Sequence, residues 1–202
     1  MHLVRSYGLI SSMQEYVPIP WRVCRALNNP IRLDMLHAVM LSDRPLSVGD
    51  ISAAVNEKEP VTSQYLRLLN MQGFIVAVRR GKNVFYKRRR DGACEFMRVV
   101  DEIESKLGNS DWKDRVLAVL PAFSNARKTA IHSVLNKDGE MNVEHLAERT
   151  FMPVKTCYRI VGELMDRGFV KSTATSVVTA ATPSDGFAKA FLDFTVINSH
   201  IS

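Results

Sequence analysis

PVTSQYLRLLNMQGFIVAVRRGKNVFYKRRR, Pro60 to Arg90, changes its period halfway along. Up to the glycine, apolar residues fall three and four apart: Tyr65, Leu66 and Leu69, with Met71 beside them, make one helical face behind a proline start. Gly73 supplies the stop. Past it the alternation is close to two, in FIVAV, then RRGKN, then VFYKR, which is a β-hairpin with Gly81 at a turn position. A helix that feeds a hairpin fits several folds, so the residues upstream decide.

They supply two more helices. Asn29 is a cap and Pro30 a first helical residue, ahead of an apolar face of Leu33, Leu36, Val39 and Met40. Ser42 to Pro45 ends that helix. SVGD, from Ser47 to Asp50, then starts a short one over Val48 to Val55, buried through Val48, Ile51 and Val55 and broken at Asn56 to Glu59. Two short helices, a turn and a third helix with a polar front make a helix-turn-helix, here followed by the hairpin.

The same pattern returns 95 residues later. RLDMLHAVMLSDRPLSVGDI from Arg32 lies over RKTAIHSVLNKDGEMNVEHL from Arg127, and Gly73-Phe74 lies over Gly168-Phe169. Apolar periodicity agrees along the whole overlay, as a duplicated supersecondary unit requires. Between the copies, DGACEFMRVVDEIESKLGNSD carries Phe96, Val99, Val100, Ile103 and Leu107 at helical spacing. Asp111 then caps a helix through Trp112, Val116, Val119 and Leu120, the counterpart of WRVCRAL in the first copy. The tail GFAKAFLDFTV sets Phe187, Phe191 and Phe194 on one face, to bury against a domain or a second subunit. The expected units are an N-terminal extension (1–20), the first copy (21–90), a linking or dimerising helix (91–110), the second copy (111–183) and a C-terminal helix (184–202).

ALNNPIRLDML, LSVGDISAAV and VTSQYLRLLNMQGFIVAVRRGKNVFY resemble the winged helix-turn-helix of ArsR-type bacterial transcriptional regulators. The proline-arginine start, the third helix ending in Gly-Phe-Ile and the glycine-containing wing ending in Tyr carry the resemblance over residues 21–90. The second copy is similar to a generic winged helix. The implied fold is mainly α with small β-hairpin wings, two winged helix-turn-helix domains in tandem. In the family the helix after the wing helps make the dimer; here that helix pairs chains, packs on its own domain, or links the two copies.

Charge points the same way. The chain carries a net +6, and seven Lys or Arg fall between Arg79 and Arg90 with no acid among them. An edge strand uses such charge to stay solvated, and a DNA-binding wing uses it to neutralise phosphates. On the DNA reading, Arg79, Arg80 and Lys82 at the tip meet the backbone or an adjacent minor groove, with Lys87 and Arg88 along the second strand. Thr62, Ser63, Gln64 and Arg67 form the helix front for the major groove, where Gln64 can pair with adenine and Arg67 with guanine or phosphate. Phe85 and Tyr86 are packing residues. The second copy offers Lys155, Thr156, Tyr158 and Arg159, but its wing, KSTATSVVTAATP, has one charge, so it is the poorer DNA binder or serves oligomerisation or ligand sensing.

The expected partner is double-stranded DNA, bound by a homodimer on a pseudo-palindromic site. A monomer with two working wings would take an asymmetric site instead. A winged-helix adaptor between proteins, or a replication or partition initiator, is the alternative function. Cys24, Cys94 and Cys157 have neither the number nor the spacing of a disulfide framework or zinc knuckle. The metal-sensing positions of the resembling family read SVGDISAAV, without Cys, and CEFMRVVDEIE, without His, so neither metal nor cofactor is expected. His37 and His132 are read as structural or helix-surface residues, not as ligands. No nucleophile elbow, HExxH or phosphate loop marks an enzyme. Without a signal-peptide run or membrane span the expectation is a reduced, cytoplasmic protein, and no effector is indicated.

Overall fold

Pro20 opens the first helix of this computed structural model, which describes residues 18–91 and 94–198. Most of the expected N-terminal extension lies outside the described residues, as does the side chain of Cys94. The first copy runs α1 (Pro20–Leu27), α2 (Pro30–Met40), β1 (Leu46–Ser47), α3 (Val48–Val55), α4 (Glu59–Met71), β2 (Ile75–Arg80) and β3 (Asn83–Arg88). Helix α5 (Cys94–Lys106) follows the wing. The second copy runs α6 (Trp112–Val119) with a 3₁₀ turn at Leu120–Phe123, α7 (Ala126–Asp138), β4 (Met141–Asn142), α8 (Val143–Arg149), α9 (Val154–Asp166), β5 (Val170–Ala174) and β6 (Val177–Ala180). Helix α10 (Gly186–Ile197) closes it.

Local chemistry accounts for the starts. Asn29 and Asn125 each accept from the backbone N–H three residues on, Arg32 and Lys128, at 3.0 Å. Ser47 and Asp50 close a full capping box: Ser47 Oγ accepts from Asp50 N–H at 3.1 Å, and the Asp50 carboxylate accepts from Ser47 N–H at 2.8 Å. Asp111, expected to cap α6, makes no side-chain cap bond.

The duplication is written in the backbone. Each copy has a three-stranded antiparallel sheet of the same order, β1-β3-β2 and β4-β6-β5. Left-handed residues recur at the 95-residue offset: Asn56 and Phe151 in the helix-turn-helix turn, Gly73 and Gly168 after the third helix, Gly81 and Ser176 in the hairpin turn. The fold is therefore two winged helix-turn-helix units in tandem, mostly helical with small antiparallel sheets.

One core serves both copies. Phe74 meets Phe96 of α5 at 5.2 Å between ring centroids, Phe96 meets Phe194 of α10 at 5.7 Å, and Phe191, one turn back, meets Phe123 at 5.7 Å. Phe123 meets Phe169 edge-on at 5.1 Å. A line of rings thus joins the Gly-Phe pair of one copy to that of the other. All but Phe96 and Phe169 are fully buried, and those two are 2% and 4% exposed. Each buried ring contributes roughly 1.5–3 kcal/mol. The apolar face of α5, Phe96, Val99, Val100 and Ile103, is buried within the chain, and α10 packs along it. Met71, expected near the packed face of α4, is 64% exposed and belongs to its outer surface.

Candidate nucleic-acid interface

Thr62, Leu66 and Leu69 stand four and three residues apart on α4 and are all fully buried. This corrects the sequence reading of Thr62, which placed its hydroxyl on the front. The side chain faces inward and its Oγ1 finds no hydrogen-bond partner. Its counterpart in the second copy, Cys157, is buried as well. The exposed front of α4 is Gln64 and Arg67, with Ser63 half-buried beside them.

Between this front and the wing lies a cleft of about 700 Å³. It brings Ser63 and Arg67 of α4 together with Arg79 and Lys82 of the hairpin, over a floor that includes Asn70 and Phe85. The hairpin is held against the helix because Ala77 N–H donates to Asn70 Oδ1 at 3.1 Å. Sequence reasoning missed Asn70. It lies three residues past Arg67 and seven past Ser63, so the helical period alone would have placed it in the set. Ser47, at the cap of α3, lines the cleft too.

The other expected wing residues sit elsewhere. The Arg80 guanidinium lies 5.6 Å from the Phe85 ring centroid, a cation–π contact on the hairpin itself. Lys87 lines a second, smaller cleft of about 430 Å³ with Arg44, Arg90, Asp43 and Asp91, which shares no lining residue with the first. Arg88 is a correction: its guanidinium pairs with the Glu104 carboxylate at 3.0 Å, and its side chain is only 31% exposed. That charge is compensated and pins β3 to α5. By contrast, Arg67, Arg79, Arg80, Lys82 and Lys87 form no ion pair among the described residues. Tyr86 is packed, as expected, at 5% exposure.

In the second copy Lys155 is exposed on α9, and Thr156 is half-buried. Tyr158 is engaged at home: its hydroxyl donates to Glu144 Oε1 at 2.5 Å, which holds that carboxyl below its ordinary pKa, and lies 3.1 Å from Ser176 Oγ. Arg159 pairs with Glu163 one turn along. The turn in front of α9 presents Phe151, 96% exposed, and α9 itself opens on Val154, 44% exposed. This head, with Arg159 paired and Lys155 exposed, is less cationic than the first and partly apolar.

Comparison with known families finds the same two units. Residues 29–76 match the family described as bacterial regulatory protein, arsR family, and residues 124–171 match winged helix-turn-helix DNA-binding. No curated protein matches the chain. The chain is thus similar to an ArsR-type unit in its first half and carries a second winged helix in its second. Both families are DNA-binding regulatory domains, not enzymes, and a DNA-binding regulator in general is the function they support. Among the described residues, no helix is long and apolar enough to cross a membrane.

Proposed function

We propose that the chain is a sequence-specific, double-stranded DNA-binding transcriptional regulator acting in the cytoplasm, with α4 in the major groove and the β2–β3 hairpin on phosphates and the adjoining minor groove. The observation that carries this reading is the cleft in which Ser63 and Arg67 face Arg79 and Lys82; Glu59 lines it too, but no acid pairs with any of these cations among the described residues. A DNA backbone running along it would touch helix and wing together, and the helix front beyond it would reach base edges. Gln64 then serves adenine, Arg67 guanine or a phosphate, and Ser63 and Asn70 either kind of contact. Arg79, Arg80 and Lys82 hold phosphates, and Lys87 holds a flanking one from the far side of the hairpin. Thr62 and Arg88 have no part in it.

The test is binding to mixed genomic fragments against salt concentration. Replacing Arg79, Arg80 and Lys82 by alanine should lower affinity and reduce the slope of log K against log salt by about 2–3, at about 0.9 for each phosphate no longer neutralised. Arg88→Ala should leave that slope alone. A feeble wild-type affinity with a shallow slope, equal in the triple variant, would instead make the protein an adaptor. That second reading has one observation in its favour, the apolar Phe151 and Val154 on the second head. An initiator would share the steep slope and differ only in where its site lies.

The sequence leads to the expectation of a homodimer and leaves its interface open, the resembling family using the helix after the wing. Since α10 covers the apolar face of α5, we propose that one chain supplies both members of that pair.

A further inference from the structure

Beneath the C-terminal half of α4, on the side away from the wing, is a cavity of about 340 Å³ lined by Trp21, Arg22, Arg25 and Ala26 of α1, Arg32 of α2, and Leu68 and Gln72 of α4. It shares no residue with the DNA cleft. We propose that it is an effector pocket for a small organic acid with an aromatic or other ring body.

Three cations border it, and none pairs with an acid among the described residues. Arg32 is fixed in place: its Nε donates to Ala26 O, its Nη2 donates to Arg25 O at 3.1 Å, and its guanidinium lies 5.1 Å from the Tyr65 ring. The two donors on Nη1 are left without a protein partner among the described residues. Arg22 rests 5.3 Å from the Trp21 ring, which sets charge beside an aromatic wall. One further feature separates this place from a solvated basic surface: the site is concave, of ligand size, with Trp21, Ala26 and Leu68 as apolar walls. Planar guanidinium groups match a carboxylate in two-point geometry, and the walls match a ring.

An occupant would lie against the helix that presents Gln64, since Leu68 is one turn and Gln72 two turns beyond it. Ligand and DNA then bias the same element, and each must change the other's affinity by the same factor. This regulatory consequence rests on the DNA reading; the site itself does not.

The experiment is calorimetric titration of the full chain, without DNA, with benzoate, 1-naphthoate and indole-3-acetate. Controls are 1-naphthalenemethanol, which lacks the carboxylate, and inorganic phosphate. The expected result is saturable binding of at least one ring acid at one site per chain, no binding of the alcohol, and at least tenfold weakening in Arg22→Gln/Arg25→Gln. Both side chains are exposed, so this variant should keep the wild-type melting temperature. DNA affinity should change at saturating acid. Failure of all three acids, or binding unchanged in the variant, overturns the pocket. Binding with no effect on DNA affinity overturns its role as an effector site. If the variant binds no acid less well but loses DNA affinity and salt slope as the wing variant does, the cations are phosphate contacts and the proposal falls. A chain that binds acid but no DNA would sink the function proposed above and leave the pocket standing.

Discussion

His132 is 1% exposed, stacked on Phe123 at 4.6 Å and edge-on to Phe169 at 5.6 Å. Its Nε2 donates to Ala122 O at 3.2 Å, while Nδ1 is buried with no partner. Burial, reinforced by the charge of Lys128, lowers its pKa to about 4, and the bond to Ala122 opposes this only in part. The unfolded chain takes a proton near pH 6.5 that the folded core refuses, so stability is complete above that pH and declines as pH falls toward 4. The loss approaches ~3 kcal/mol at the bottom of the window. Denaturant melts between pH 7 and 4.5 should show this slope in the wild type and a flatter one in His132→Phe. Thr62 makes the opposite kind of prediction. Its buried hydroxyl has no partner, so Thr62→Val should be neutral or stabilise by up to about 1 kcal/mol and leave DNA affinity unchanged. A tenfold loss of DNA affinity in that variant would return Thr62 to the interface. Both residues show where sequence reading stops. His132 was legible as a structural or helix-surface residue because it repeats His37, but its burial depends on neighbours contributed by other elements. Thr62 was misread because a hydroxyl says nothing of the side a helix turns inward, and only Leu66 and Leu69, counted back by one turn, would have said so.

Among the elements, the helices and both wings were legible from period, caps and glycines, because each of those signals is local. What was not legible is partnership. Arg88 and Arg79 look alike in sequence, yet one meets Glu104 of the next helix and the other meets solvent. The two turns before the third helices show how identical geometry meets different chemistry. Asn56 and Phe151 hold φ of 51° and 52°. Asn tolerates the left-handed region, whereas an aromatic residue there is strained by roughly 1–2 kcal/mol. Phe151 recovers little by packing, since it is 96% exposed. Phe151→Asn should therefore raise stability by about 1 kcal/mol, read as a higher denaturant midpoint at unchanged m. A drop in stability would mean that the ring has packing partners in solution, as a docking residue in an oligomer would.

For the whole molecule, the question is why a duplicated winged helix keeps one more cationic head and one less cationic one. The sequence displayed the duplication and the charge difference, but α5 read equally well as a dimer helix or a link. That choice turns on contacts about ninety residues apart, which no local pattern records. The line of rings from Phe74 through Phe96, Phe194, Phe191 and Phe123 to Phe169 makes the two copies one folding unit. At its edge Asp185 caps α10 through Ala188 N–H at 3.0 Å and pairs with Arg115 at 2.7 Å and Lys106 at 3.5 Å, tying the start of α10 to α5 and α6. A head held so firmly can orient its neighbour, a role that does not call for charge on its wing. The expected outcome in light scattering is a particle of 22.8 kDa, one chain. On a short duplex it should bind one to one, with a footprint over a single half-site and not two related by symmetry. A particle of twice that mass that occupies a palindrome would show that chains pair through another surface, and the apolar turn at Phe151 would then be the first place to cut.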